Sequence, residues 1–167
     1  MKYIPKLVHS LGALMPASSR CIAAAAVVSF LAPAPAPDPC TLLTKAQVET
    51  VLPRNDGGMV VHSGGSLIAG VDAYQCSYSN DQADVFTVVL NVAVDDQHFD
   101  KIRPHFDADE VTRVPVGDGA WLRGDPNDLK LTAVKGRTVL DLELLATDAK
   151  AKGPELVALA QAAIARL

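Results

Sequence analysis

The sequence predicts an α+β domain, a mostly antiparallel sheet of five or six strands with amino- and carboxyl-terminal helices packed on it. Three observations carry this reading. Stretches such as DVFTVVLNVAV and RTVLDLELL alternate apolar residues with the period of two that a strand requires. Helix-start signals stand on either side of the strand region, at Thr44 and at Gly153-Pro154. A hydrophobic content of 49% over 167 residues supplies one core even when the first segment is set aside.

That first segment reads as an export signal. Residues 21–32, CIAAAAVVSFLA, form a short apolar run preceded by Lys2, Lys6 and Arg20, with no acidic residue before Asp38. The run is shorter than the ~20 apolar residues a membrane-spanning helix wants. Residues 1–37 are therefore expected to be a signal peptide or amino-terminal anchor with a Pro/Ala linker. Residues 38–167 are expected to be one exported domain, secreted or held in the cell envelope. The basic flank is long for a signal peptide, so Met15 would make a better start than Met1, leaving MPASSR before the apolar run, and Ala32, Ala34 and Ala36 are each followed by proline, a poor cleavage context. An uncut anchor is the alternative, and membrane contact is expected only through it. Losing Lys2, Lys6 and Arg20 moves the formal charge from −4 to −7. So acidic a domain, without a Lys/Arg cluster, is unsuited to phosphate backbones, which excludes nucleic acid as a partner.

The elements follow in order. PAPAPDP is a semi-rigid spacer. Thr44 and Gln47 form a capping box, Leu43 and Val48 a hydrophobic staple, and Val48, Val51 and Leu52 one face of a helix that Pro53 stops. GMVVH is a short strand in a glycine-rich region, and AYQCSYS a firmer one. A turn at Asn80-Asp81 leads into DVFTVVLNVAV, with Phe86, Val88, Leu90, Val92 and Val94 on one side. The mixed other side marks a central strand partly covered on both faces. Asp95 is an N-cap, Val94 and Phe99 a second staple, and Phe99, Ile102 and Phe106 fall at helical spacing until Pro104 ends or kinks the helix. VTRVPVGDGAWLRG, DLKLTAV and RTVLDLELL complete the sheet, the last two joined by a hairpin at Lys135-Gly136. In the final helix Gly153 caps, Pro154 takes the first position and Glu155 meets the helix dipole. Leu156, Leu159, Ala160, Ala163, Ile164 and Leu167 form its apolar stripe.

Cys21 would leave with the signal, so two cysteines remain, Cys40 and Cys76. An even count in an exported chain argues for a disulfide, which would constrain the unfolded chain by roughly 4 kcal/mol in the chain-entropy account. A lipid-modified cysteine would need a Leu-small-small-Cys box, whereas PDP precedes Cys40 and SSR precedes Cys21. A zinc site would need C-x-x-C or H-x-x-x-H spacing, which neither cysteine has. A nucleophilic cysteine would need a histidine and an acidic or amide partner, which sequence alone does not exclude.

The richest polar stretch is DDQHFDKIRPHFDADE, residues 95–110. His98 and His105 lie seven apart, about 10 Å along a helix, too far to chelate one ion side by side. The stretch reads as a solvated face, and no metal or cofactor is expected. His62 precedes SGGS, where Ser63 or Ser66 could be a nucleophile, but G-x-S-x-G and its strand-turn-helix context are missing, so a flexible loop is expected. Trp121, the one tryptophan, follows GDGA at a strand start and reads as a core or rim anchor.

Taken together, CTLLTKAQV, CSY, the VPVGDGAW stretch, the leucine-rich strand and the closing LVALAQAAIARL resemble a family of small exported actinobacterial proteins and lipoproteins of unknown function. The resemblance covers residues 38–167. It implies a Mog1/PsbP-like sandwich and a bond between Cys40 and Cys76, and it brings no catalytic residues. Many members carry a lipobox cysteine; this chain does not. The expected function is a non-enzymatic envelope module that binds a small ligand, a lipid or a protein partner. The alternative is an exported hydrolase using His62 or His98 with nearby carboxylates.

Overall fold

The computed structural model describes residues 38–107 and 110–167. The signal or anchor expected over residues 1–37 lies outside the described residues. The strands are β1 (Met59–Ser63), β2 (Val71–Ser79), β3 (Val85–Ala93), β4 (Thr112–Val114), β5 (Gly119–Asp125), β6 (Asp128–Lys135) and β7 (Thr138–Leu145). All pair antiparallel in one sheet ordered β1-β2-β3-β7-β6-β5-β4. The helices are α1 (Lys45–Val48), α2 (Asp96–Ile102) and α3 (Gly153–Ile164). The chain is thus α+β with a large antiparallel sheet, but of seven strands rather than five or six. The extra strand arises because VTRVPVGDGAWLRG is two strands. Pro115 cannot donate to a ladder, and Gly117 adopts φ +57°, so the chain folds back on itself between β4 and β5.

The alternation of the strands sorts the sheet into two faces. On one, Tyr74, Cys76 and Tyr78 of β2, Phe86, Val88 and Leu90 of β3, Leu140, Leu142 and Leu144 of β7 and Leu129, Leu131 and Ala133 of β6 are buried. The residues from Leu42 to Leu52 and the α3 stripe of Leu156, Leu159, Ala160, Ala163 and Ile164 complete this core. Each fully buried leucine contributes about 1.5–3 kcal/mol relative to exposure. Leu167, expected on the stripe, lies past the helix end and is exposed.

The capping box forms as expected: the Gln47 amide donates to Thr44 Oγ1 at 3.3 Å, and the Thr44 amide to Gln47 Oε1 at 2.9 Å. The helix it starts is shorter than the sequence implied, a single turn that passes into tighter turns before Pro53. Cys40 and Cys76 form a disulfide with Cα atoms 5.2 Å apart, fastening the 3-10 turn Pro39–Thr41 to β2. Gly58 passes directly above it, where a Cβ would sit 2.8 Å from Cys76 Sγ.

Among the described residues, the other face is only half covered. Val71, Ala93, Val134 and Val139 gather under Phe99 and Ile102 of α2, with Trp121 beside them. Asp95 caps α2, as expected, by accepting from the His98 amide at 2.9 Å. Val94 stays exposed rather than serving as a staple. Pro104 lies just past the end of α2, so Phe106 sits beyond the helix in an extended segment and not on its stripe.

Candidate functional site

Where α2 and the segment after it stop, the uncovered part of this second face becomes a groove. The β6–β7 hairpin turns through Gly136, at φ +55°, and Arg137, which pairs Lys135 with Thr138 and sets every later partner. The turn therefore lies one residue further along than the expected Lys135-Gly136. In this register Thr132 stands opposite Asp141, and Lys130 opposite Glu143 on one side and Arg123 on the other. The Thr132 hydroxyl, buried at 4% exposure, donates to Asp141 Oδ1. Lys130 Nζ lies 3.6 Å from the same oxygen. A buried hydroxyl without a partner would cost about 1–3 kcal/mol, so Asp141 is held by Thr132's need as much as by Lys130's charge.

The segment after α2 forms the wall. Phe106 packs against Trp121, ring centroids 5.6 Å apart, and the Arg123 guanidinium lies 6.0 Å from the Phe106 centroid. Arg103 covers Phe99 at 4.8 Å, and His105 Nδ1 is 2.7 Å from the Arg103 carbonyl. The groove, about 290 Å³, has Asn91, Thr132, Val139 and Asp141 as its floor and Ile102, Pro104, His105 and Phe106 beside it. Arg123 and Lys130 are shared with a larger depression of about 560 Å³ bordered by Glu110, Asp125 and Asp128. On the far side of Pro104 a more apolar pocket of about 380 Å³ lies among Phe99, Trp121, Val134 and Gly119, with Arg103 and Asp118 at its mouth.

Trp121 therefore sits at the rim, half-buried between these hollows. The expected histidine candidates lie elsewhere. His62, exposed on β1, has Nε2 2.8 Å from the Gly65 carbonyl. His98 Nδ1 is 2.7 Å from Asp95 Oδ1, and its ring lies against Gly70, where any Cβ would collide with it. That contact braces α2 on the turn into β2. The His98 amide and ring hold the Asp95 carboxyl below its ordinary 3.8. Ser66 Oγ accepts from the Ile68 amide at 3.0 Å. The hydrogen bonds described for the histidines go to the Gly65 and Arg103 carbonyls and to Asp95. Among the described residues, no three His, Cys, Asp or Glu side chains gather so as to hold a metal ion, and no helix is long and apolar enough to cross a membrane.

The Lys130–Thr132–Asp141 cluster and the Phe106–Trp121 pair were not singled out from sequence. The alternation in DLKLTAVK and TVLDLELL does carry the first once the turn is fixed. The second joins residues on different elements and leaves no local signal. No protein-family model, no curated protein and no solved structure matches this chain.

Proposed function

We propose that this chain is a non-enzymatic, exported binding module of the cell envelope, and that the half-covered sheet face is where it holds a small polar ligand. The observation that carries this reading is the groove itself. It is preformed, walled by Phe106 where that ring packs on Trp121, and floored in part by Thr132 and Asp141, which satisfy each other. Lys130, Thr132 and Asp141 close on themselves, which suits recognition of a ligand's outline and hydrogen bonds more than attack on a reacting atom. The disulfide fits an oxidising compartment, in keeping with the export layout of the sequence and the family resemblance it suggests.

Native mass spectrometry of protein purified from its envelope fraction tests the reading. The expected result is a mature terminus within residues 33–40 and a small bound molecule, lost on Phe106→Ala or Arg123→Ala while the fold is retained. Recovery only from the cytosol with the first residues intact would end the export reading. Hydrolysis of an ester or amide panel, abolished by His98→Ala, would replace binding by the hydrolase reading.

A further inference from the structure

The two edges of the sheet are built differently. β4 ends the sheet with three residues, Thr112-Arg113-Val114, followed at once by Pro115. A short strand, an exposed charge and a proline are the ordinary means by which an edge resists pairing with another chain. β1, at the other end, is longer and has neither the charge nor the proline, and its one such device is a bulge. Its five residues, MVVHS, carry no Asp, Glu, Lys or Arg, and among the described residues β2 is its only neighbour in the sheet. Met59, Val60 and Val61 are 68%, 47% and 52% exposed, and Leu67 and Ile68 in the loop that follows are also exposed. The one irregularity is a bulge between Val60 and His62.

Charge decides what could pair there. The stretch from Gly57 to Gly70 contains no charged side chain, in a domain whose formal charge over residues 38–167 is −7. Neutrality continues inward on the sheet face: Ala73, Gln75, Ser77 and Ser79 of β2 and Val85, Thr87, Val89 and Asn91 of β3 carry no charge. A two-fold dimer that joins identical edges antiparallel sets each strand against itself, so a charge near the axis meets its own kind. At β4 that would oppose Arg113 to Arg113. At β1 no such contact arises, and the strand's unpaired backbone groups would gain partners.

We propose that β1 is a self-association edge, at which a second copy of this chain pairs antiparallel to join the two sheets. Leu67 and Ile68 would add apolar contact beside the strand. Five residues and a loop supply less than the ~800 Å² per partner of a standard interface, so the dimer is weak and forms with a dissociation constant of about micromolar or above.

Sedimentation velocity on the whole chain, over a concentration series spanning the micromolar range, tests this. The expected result is a reversible monomer–dimer equilibrium, at least tenfold weaker in Val61→Lys and in Met59→Glu, and unchanged in Arg113→Ala at the opposite edge. Both β1 positions are exposed, and far-UV circular dichroism checks that the variants fold. Hydrogen exchange should slow at residues 59–63 as concentration rises. A monomer throughout the series overturns the proposal. So does a dimer indifferent to both β1 variants, or protection of β1 that appears only when an extended apolar peptide is added.

Discussion

Cys40 stands one residue inside the 3-10 turn that opens the described chain, and its partner Cys76 lies buried in β2, 36 positions away. The bond limits how far the unfolded chain can spread, so Cys40→Ser and Cys76→Ser should each lower stability by about 2–5 kcal/mol in urea unfolding. The double variant should be no worse than the weaker single one, because the two changes break one bond. Asp95 acts at the same scale through pH. Its carboxyl is held below the ordinary 3.8 by the His98 amide and then by the His98 ring. A lowered folded-state pKa means that its stabilisation is present above the unfolded value and is lost as pH falls through the folded one. Wild type should therefore exceed Asp95→Asn in Tm at neutral pH, and the gap should close in acid below that window. A gap of constant size down to low pH would show that the carboxylate's charge is not what matters.

The turn between β4 and β5 governs how the strands reach their number. Gly117 holds φ +57°, with its backbone so near the Val134 carbonyl that an added Cβ would run into it. The adjacent Asp118 amide donates to that carbonyl at 2.7 Å, while the Asp118 carboxylate accepts from the Gly136 amide at 2.7 Å. The turn thus docks on the β6–β7 hairpin, and Gly117→Ala should destabilise by at least about 1–3 kcal/mol from backbone strain alone. Gly136→Ala, where a Cβ meets nothing within 4 Å, should cost less; equal losses measured by thermal unfolding would contradict this account. Strands with clean alternation, such as β3 and β7, were legible in the sequence because one buried face imposes its period on local residues. The split of VTRVPVGDGAWLRG was not, since its fold-back depends on contacts with Val134 and Gly136. The candidate site was legible only in part. Moving the hairpin turn by one residue leaves Lys130, Thr132 and Asp141 on the same face but changes which of them meet. With the loop at Lys135-Gly136, Asp141 would face Lys130 directly and Thr132 would face Val139.

At the scale of the whole molecule, the two ends of the described domain are joined by one side chain. Arg166, just past α3, donates through Nη1 to the Leu42 carbonyl at 2.6 Å and to the Thr41 carbonyl at 3.4 Å, and through Nη2 to Gln47 Oε1 at 3.3 Å. That Gln47 oxygen is the acceptor in the capping box of α1, so the carboxyl-terminal helix is wired to the first helix turn through the group that starts it. The disulfide fastens the same region to β2 from the other direction. These two long-range ties add to the burial of Leu42, Leu43, Val48, Val51 and Leu52 in the core, because a four-residue helix has little stability of its own. Arg166→Ala should cost roughly 1–2 kcal/mol, the net worth of a few partly exposed hydrogen bonds to a charged donor. Arg166→Lys should recover only part of it, since an ammonium cannot reproduce the planar fork that reaches three acceptors. The loss should be local. Hydrogen exchange should quicken at the amides of residues 41–52 well before those of the β6–β7 hairpin, whose ladder Arg166 does not touch. Uniform quickening across the sheet would mean that Arg166 supports the core as a whole and that the two ends are not tied in the way the hydrogen bonds suggest.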